Sequence, residues 1–288
     1  MEWITEPFEL AFQQRALLGG ALASIALALV GTWVVIRGMS FLGDALVHGV
    51  IPGIALAILF GFNTLLGAAL AAVVMLLGIN LVHRQTEFPE DTGIGLLFVG
   101  MLGIGVILIS RMPSFSGDLT AILFGDVLGV TGSDIAWLGL LAGVTVVASA
   151  VMYRPFLVLS FNEQKARLLG LRPRLAHVVL LGLIAVVIIG SFQTVGTMLV
   201  FGLLVGPAAT AALLVRRVPS IMVLAAAIGV LSVCVGLIIS YHADTSGSAT
   251  MAVMPIVLFF VVLAARSLGR RSGRGTTTPL PQESGFTP

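Results

Sequence analysis

The stretch Ala16-Leu17-Leu18-Gly19-Gly20-Ala21-Leu22-Ala23-Ser24-Ile25-Ala26-Leu27-Ala28-Leu29-Val30-Gly31-Thr32-Trp33-Val34-Val35-Ile36 contains 21 residues and no charged side chain. A helix needs ~20 such residues to cross the hydrocarbon core of a bilayer. Outward from this segment the pattern recurs, giving nine candidate spans in all. The other eight are Phe41–Phe60, Leu65–Val82, Thr92–Ser110, Asp134–Tyr153, Leu175–Ile189, Thr194–Val215, Ile221–Ser240 and Met251–Ala265. Between the sixth and seventh, Gly190-Ser191-Phe192-Gln193 reads as a tight connection.

Composition agrees with a membrane protein. Of the 288 residues, 58% are hydrophobic and 10% charged, and the mean hydropathy is +1.12. A soluble domain is about 25% charged. A soluble enzyme, a disordered chain and a nucleic-acid-binding module are thereby excluded. The single cysteine, Cys234, allows no intrachain disulfide and reads as a small buried side chain.

Lysine and arginine set the orientation. With the N-terminus outside and nine alternating spans, the inner face receives Arg37, Arg84, Arg154, Lys165, Arg167, Arg172, Arg174, Arg216, Arg217, Arg266, Arg270, Arg271 and Arg274. The outer face receives only Arg15 and Arg111. Adding or removing one span would scramble this bias. Glu2, Glu6 and Glu9 stand where a signal peptide would be positive. Ile4, Phe8 and Phe12 instead suggest a short interfacial helix. Residues 1–268 therefore read as one transmembrane unit, an all-α polytopic bundle. Residues 269–288, rich in Gly, Thr, Ser and Pro, read as a disordered cytoplasmic tail.

Two connections exceed simple turns. Residues 111–133, outside, hold Asp118 and Asp126, which could attract cations at an outer entrance. Within them Leu119–Val130 is half-apolar and could dip back to membrane depth. Residues 154–174, inside, include Phe161–Leu171, an amphipathic pattern stopped by Gly170. That pattern suits either a helix docking a cytoplasmic partner or one resting on lipid headgroups.

The second span opens with Asp44 and His48, four residues apart and so on one helical face. Ionisable groups at membrane depth are costly and point to function. A carboxylate and an imidazole suit zinc, manganese or iron(II). The competing reading is an Asp–His hydrogen bond capping the helix near its cytoplasmic end. Pro52 lacks the amide hydrogen that would bond the His48 carbonyl, which permits a kink or an oxygen ligand. Gly202, Gly206 and Pro207 interrupt the seventh span, as close packing or a hinge would require. His242 and Asp244 fall outside as loop residues, and His83 and His177 flank cytoplasmic helix ends without a metal role. No phosphate-binding glycine loop is present; the one lysine, Lys165, does not follow a glycine. No hydrolase signature occurs either.

The ordered motifs resemble those of the permease subunits of bacterial ATP-binding-cassette importers for zinc, manganese and chelated iron. Phe12-Gln13-Gln14-Arg15-Ala16-Leu17 is similar to the family's start. Arg37-Gly38-Met39-Ser40-Phe41-Leu42-Gly43-Asp44-Ala45-Leu46-Val47-His48-Gly49-Val50-Ile51-Pro52-Gly53-Ile54-Ala55 resembles its most distinctive motif. Leu123-Phe124-Gly125-Asp126-Val127-Leu128-Gly129-Val130-Thr131 and Gly206-Pro207-Ala208-Ala209-Thr210-Ala211 resemble two more. Val47 stands where serine is frequent, and Gly49 fits a position that is commonly small.

The resemblance implies a bundle in the bacterial plasma membrane that forms a homodimer around a central pathway. It implies two cytoplasmic ATP-binding subunits and an extracellular metal-binding protein as partners, with no tightly bound cofactor. Asp44 and His48 of each copy would together hold the transported zinc or manganese ion. Pro52, Gly206 and Pro207 would shape or gate the pathway. Glu163, Ala166 and Gly170 would belong to the helix coupling to the ATPase, and transport would proceed by alternating access. A permease for a siderophore or cobalamin, and a proton- or sodium-driven carrier, are the alternatives.

Overall fold

The computed structural model describes residues 5–86, 90–111, 127–161 and 173–272. Every regular element among them is helical. A 3-10 turn, Glu6–Glu9, precedes α1 (Ala11–Ile36), so Phe12 lies in α1 and not in a separate interfacial helix. Then follow α2 (Ser40–Gly49), α3 (Ile51–Phe60), α4 (Thr64–Gln85) and α5 (Glu90–Ile109). After a 3-10 turn at Val127–Gly129 come α6 (Gly132–Val151), α7 (Tyr153–Phe161), α8 (Pro173–Val195), α9 (Thr197–Leu214), α10 (Val218–Ala243) and α11 (Gly247–Ser272). With α2 and α3 forming one span, nine segments among the described residues are long and apolar enough to cross a membrane.

Local chemistry sets the helix ends. The Asn63 carboxamide accepts from the Leu65 and Leu66 amides at 2.8 and 3.3 Å, starting α4 just after Gly61 turns left-handed at φ 70°. Thr131 and Asp134 form a reciprocal capping box that starts α6. The expected break at Gly190–Gln193 does not occur: α8 runs through it to Val195. Gly190 instead lets α6 approach, since a Cβ there would lie 2.9 Å from Leu141 Cδ2. The chain turns only at Gly196, whose φ of 81° a side chain would strain. Part of the inner connection is also helical, as α7, because Pro155 falls in its first turn, where a missing N–H costs nothing. At the other end α11 continues to Ser272; residues 273–288 of the tail lie outside the described residues.

Buried hydrophobic side chains centre on α1, which packs against α6, α8, α9 and α10; α9 also packs on α11. Trp33 of α1 is fully buried, with its ring 5.6 Å from Phe156 and 5.9 Å from Tyr153. Between spans, contacts rest on small residues, because apolar side chains gain nothing by leaving lipid for protein. A Cβ at Gly31 would collide with the Leu204 carbonyl oxygen, and one at Gly202 would lie 2.7 Å from the Ala252 carbonyl oxygen. By contrast α5 is only 17% buried and α11 22%, which puts both at the periphery. Leu66, Leu70, Leu77 and Leu81 form one exposed apolar stripe on α4.

Candidate functional site

The site is built on α2 and on the break that follows it. One side of α2 is pressed into the bundle: Leu42, Gly43, Ala45, Leu46, Val47 and Gly49 are all buried. Close approach depends on the two glycines. A Cβ at Gly43 would collide with Leu204 of α9, and one at Gly49 with the Met75 sulfur of α4. Val47 is only 2% exposed and faces the core, so a hydroxyl at this position would not stand beside Asp44 and His48.

The opposite side carries Phe41, Asp44 and His48, all half-buried and at helical spacing. His48 Nε2 lies 3.4 Å from Asp44 Oδ1, with the two side chains 21% and 30% exposed. Phe98 of α5 flanks them, its ring 5.3 Å from Phe41 and 6.2 Å from His48. The pair thus looks out of the bundle between aromatic rings, at the start of a span.

Pro52 interrupts the hydrogen-bond ladder. No amide from residue 52 reaches the His48 carbonyl; the Val50 N–H points to it, and the ladder restarts with Ile54 N–H to Val50 O at 3.1 Å. The helical ladder is interrupted at Val50, and the span continues as α3. There Gly53 and Gly67 of α4 meet backbone to backbone.

Gly206 and Pro207 are buried in α9, away from any described cavity. A Cβ at Gly206 would lie 2.8 Å from Pro255 of α11, and Pro207 packs beside Gly229 of α10. Both therefore serve helix packing in this conformation. Asp118, Asp126, Glu163, Ala166 and Gly170 lie outside the described residues.

An outer feature had no signal in the sequence. A cleft of about 460 Å³ opens between the start of α4, the Val127–Gly129 turn, the start of α6 and the end of α8. Leu65, Val130, Asp134, Trp137 and Thr194 line it. Trp137 Nε1 donates to the Gly190 carbonyl at 3.1 Å and fixes the indole wall. Alternating spans put this cleft on the outer face, where Asp118 and Asp126 had been expected.

Among the described residues, no three His, Cys, Asp or Glu side chains converge on a common point.

Among the described residues, a helical bundle with nine spans long and apolar enough to cross a membrane defines a polytopic membrane protein. Residues 9–266 match the model of the ABC 3 transport family, and the chain belongs to that family. It is 37% identical to the manganese transport system membrane protein MntC of Listeria innocua, over 87% of this chain and 89% of that protein. It is 34% identical to a probable iron transport system membrane protein of Haemophilus influenzae, covering 91% and 97%. Among solved structures it resembles PsaBC from Streptococcus pneumoniae in complex with Fab, with a TM-score of 0.80 at 28% identity over 94% of this chain and 99% of that one. The chain is thus a multi-pass permease component of the bacterial plasma membrane.

Proposed function

We propose that this chain is the permease subunit of an importer for a divalent transition metal, with manganese the favoured cargo and zinc the competitor. Two copies enclose the pathway, two cytoplasmic ATPase subunits drive it, and an external metal-binding protein supplies the ion. The observation that carries this reading is the Asp44–His48 pair with its donor separation of 3.4 Å. A carboxylate and an imidazole this close on one helical face can both reach a single transition-metal ion.

Exposure of the pair supports the dimer. Ionisable side chains on a membrane span face the protein interior or a water-filled pathway far more often than lipid, so this face is best placed toward a pathway. A two-fold axis beside it brings a second acid and a second imidazole, completing four ligands from two half-sets. The family assignment favours ATP-driven import over a proton- or sodium-coupled carrier. Relatives named for manganese transport and for iron transport support a transition metal as the cargo. Alternating access then works by opening the two half-sets to opposite faces in turn. Four soft-held ligands also let the ion leave.

The test is uptake of radioactive manganese by the complex reconstituted with its ATPase subunits, with zinc and iron(II) as competitors. Asp44→Ala and His48→Ala are each expected to reduce uptake to background while the complex still assembles. Wild-type uptake in both variants overturns the pathway assignment.

A further inference from the structure

Arg37 ends α1 at the cytoplasmic corner, one residue before Gly38 and three before α2 begins. Its Nη2 lies 3.1 Å from Nδ1 of His177, a residue 140 positions away in the first turns of α8. A guanidinium has only donors, so Nδ1 is the acceptor in this contact. The imidazole is only 8% exposed, so little water competes for that lone pair. The contact therefore joins two particular places in the chain. On one side stands the corner that aims α2, with Asp44 and His48. On the other stands the start of α8, directly after the inner segment 154–174.

We infer that the Arg37–His177 hydrogen bond, beside the direct packing of α8 on α1 and α2, is a link that passes movement of the inner segment to α2. This rests on the proposed reading of that segment as the ATPase-docking stretch. A push on the docking stretch moves the first residue it is joined to, Pro173, and with it the rigid first turns of α8. His177 sits on those turns, and its hydrogen bond pulls the corner at Arg37. The corner is a short turn, closed by Gly38 N–H to Val35 O at 3.1 Å and Met39 N–H to Val34 O at 3.0 Å. It can pivot without unwinding α1, while α2, set apart from α3 by the interrupted ladder at Val50, turns as a separate short rod. His177 is accordingly a positioning residue: it acts on the metal-facing pair through α2 and does not touch cargo.

The experiment compares His177→Asn, His177→Gln and His177→Ala in the complex purified with its ATPase and reconstituted in vesicles. An asparagine carboxamide oxygen occupies the place of Nδ1, whereas a glutamine oxygen occupies that of Nε2. The readouts are complex assembly, ATP hydrolysis and the ratio of manganese moved to ATP hydrolysed. Asn is expected to keep that ratio within about twofold of wild type. Gln and Ala are expected to lower it ~10-fold, the factor that corresponds to losing one such hydrogen bond, while ATP hydrolysis continues. A wild-type ratio in the folded Gln and Ala variants overturns the link, as does an Asn variant as uncoupled as Ala. Failure of the unmodified chain to hold the ATPase overturns the docking reading and is seen before any ratio is measured.

Discussion

Two glycines four residues apart, Gly49 and Gly53, allow the packing account to be tested with the same added methyl group. At Gly49 the new Cβ meets the Met75 sulfur, part of an unbranched side chain that can swing aside. The overpacking cost there is about 1 kcal/mol, and the gain in helix propensity from Gly to Ala is of the same size. At Gly53 the new Cβ meets the Gly67 carbonyl oxygen, and Ala71 Cβ at 2.7 Å. Neither of those can turn away, so α3 and α4 must move apart. The cost there is ~3 kcal/mol, and the same propensity gain leaves about 2 kcal/mol net. One kcal/mol shifts the melting point of a large domain by ~2–4 °C. Gly53→Ala should therefore lower the melting midpoint by ~4–8 °C, and Gly49→Ala should change it by no more than ~2 °C. The three tryptophans, among them Trp33, fully buried against aromatic neighbours, give the intrinsic fluorescence signal for detergent-purified protein. Gly67→Ala should match Gly53→Ala, and the double variant should cost less than their sum, because one separation of the helices accommodates both methyls. Equal shifts at positions 49 and 53, or the larger loss at Gly49, would refute the reasoning.

The outer face yields two further tests of stability. Trp137→Phe removes the hydrogen bond to the Gly190 carbonyl and should lower stability by about 1 kcal/mol, seen as a drop of ~2–4 °C in the melting midpoint. Asp134→Ala breaks the capping box at the start of α6 and should cost ~1 kcal/mol, whereas Asp134→Asn, which still accepts from the Thr131 amide, should recover most of it in the same melt.

The spans were legible because bilayer thickness imposes a length on every apolar run, and the lysines and arginines then allowed only one alternation. The Asp44–His48 face was legible from a spacing of four, and the break after it from the missing amide of Pro52. The boundary between α8 and α9 was not. Gly190-Ser191-Phe192-Gln193 has the polarity of a turn, yet tertiary packing against Leu141 and Trp137 keeps it helical, and the left-handed torsion of Gly196 ends α8. Arg154 and Pro155 likewise looked like loop residues, although a proline in a helix's first turn is harmless. Gly206 and Pro207 showed an interruption in the pattern, but only coordinates reveal that Pro255 and Gly229 fill it. The Arg37–His177 contact spans 140 residues, and the outer cleft draws on four elements; neither distance leaves a local pattern to read.

The central claim is that the Asp44 and His48 side chains hold the cargo ion between two copies of the chain. Pulsed electron paramagnetic resonance of manganese(II) added to the purified complex tests it directly, since imidazole nitrogen bound to the ion couples to its electron spin. The account predicts nitrogen coupling in the unmodified complex and in Asp44→Asn, and its loss in His48→Ala with assembly intact. Coupling that persists unchanged in His48→Ala, or none in the unmodified complex with manganese bound, would contradict it.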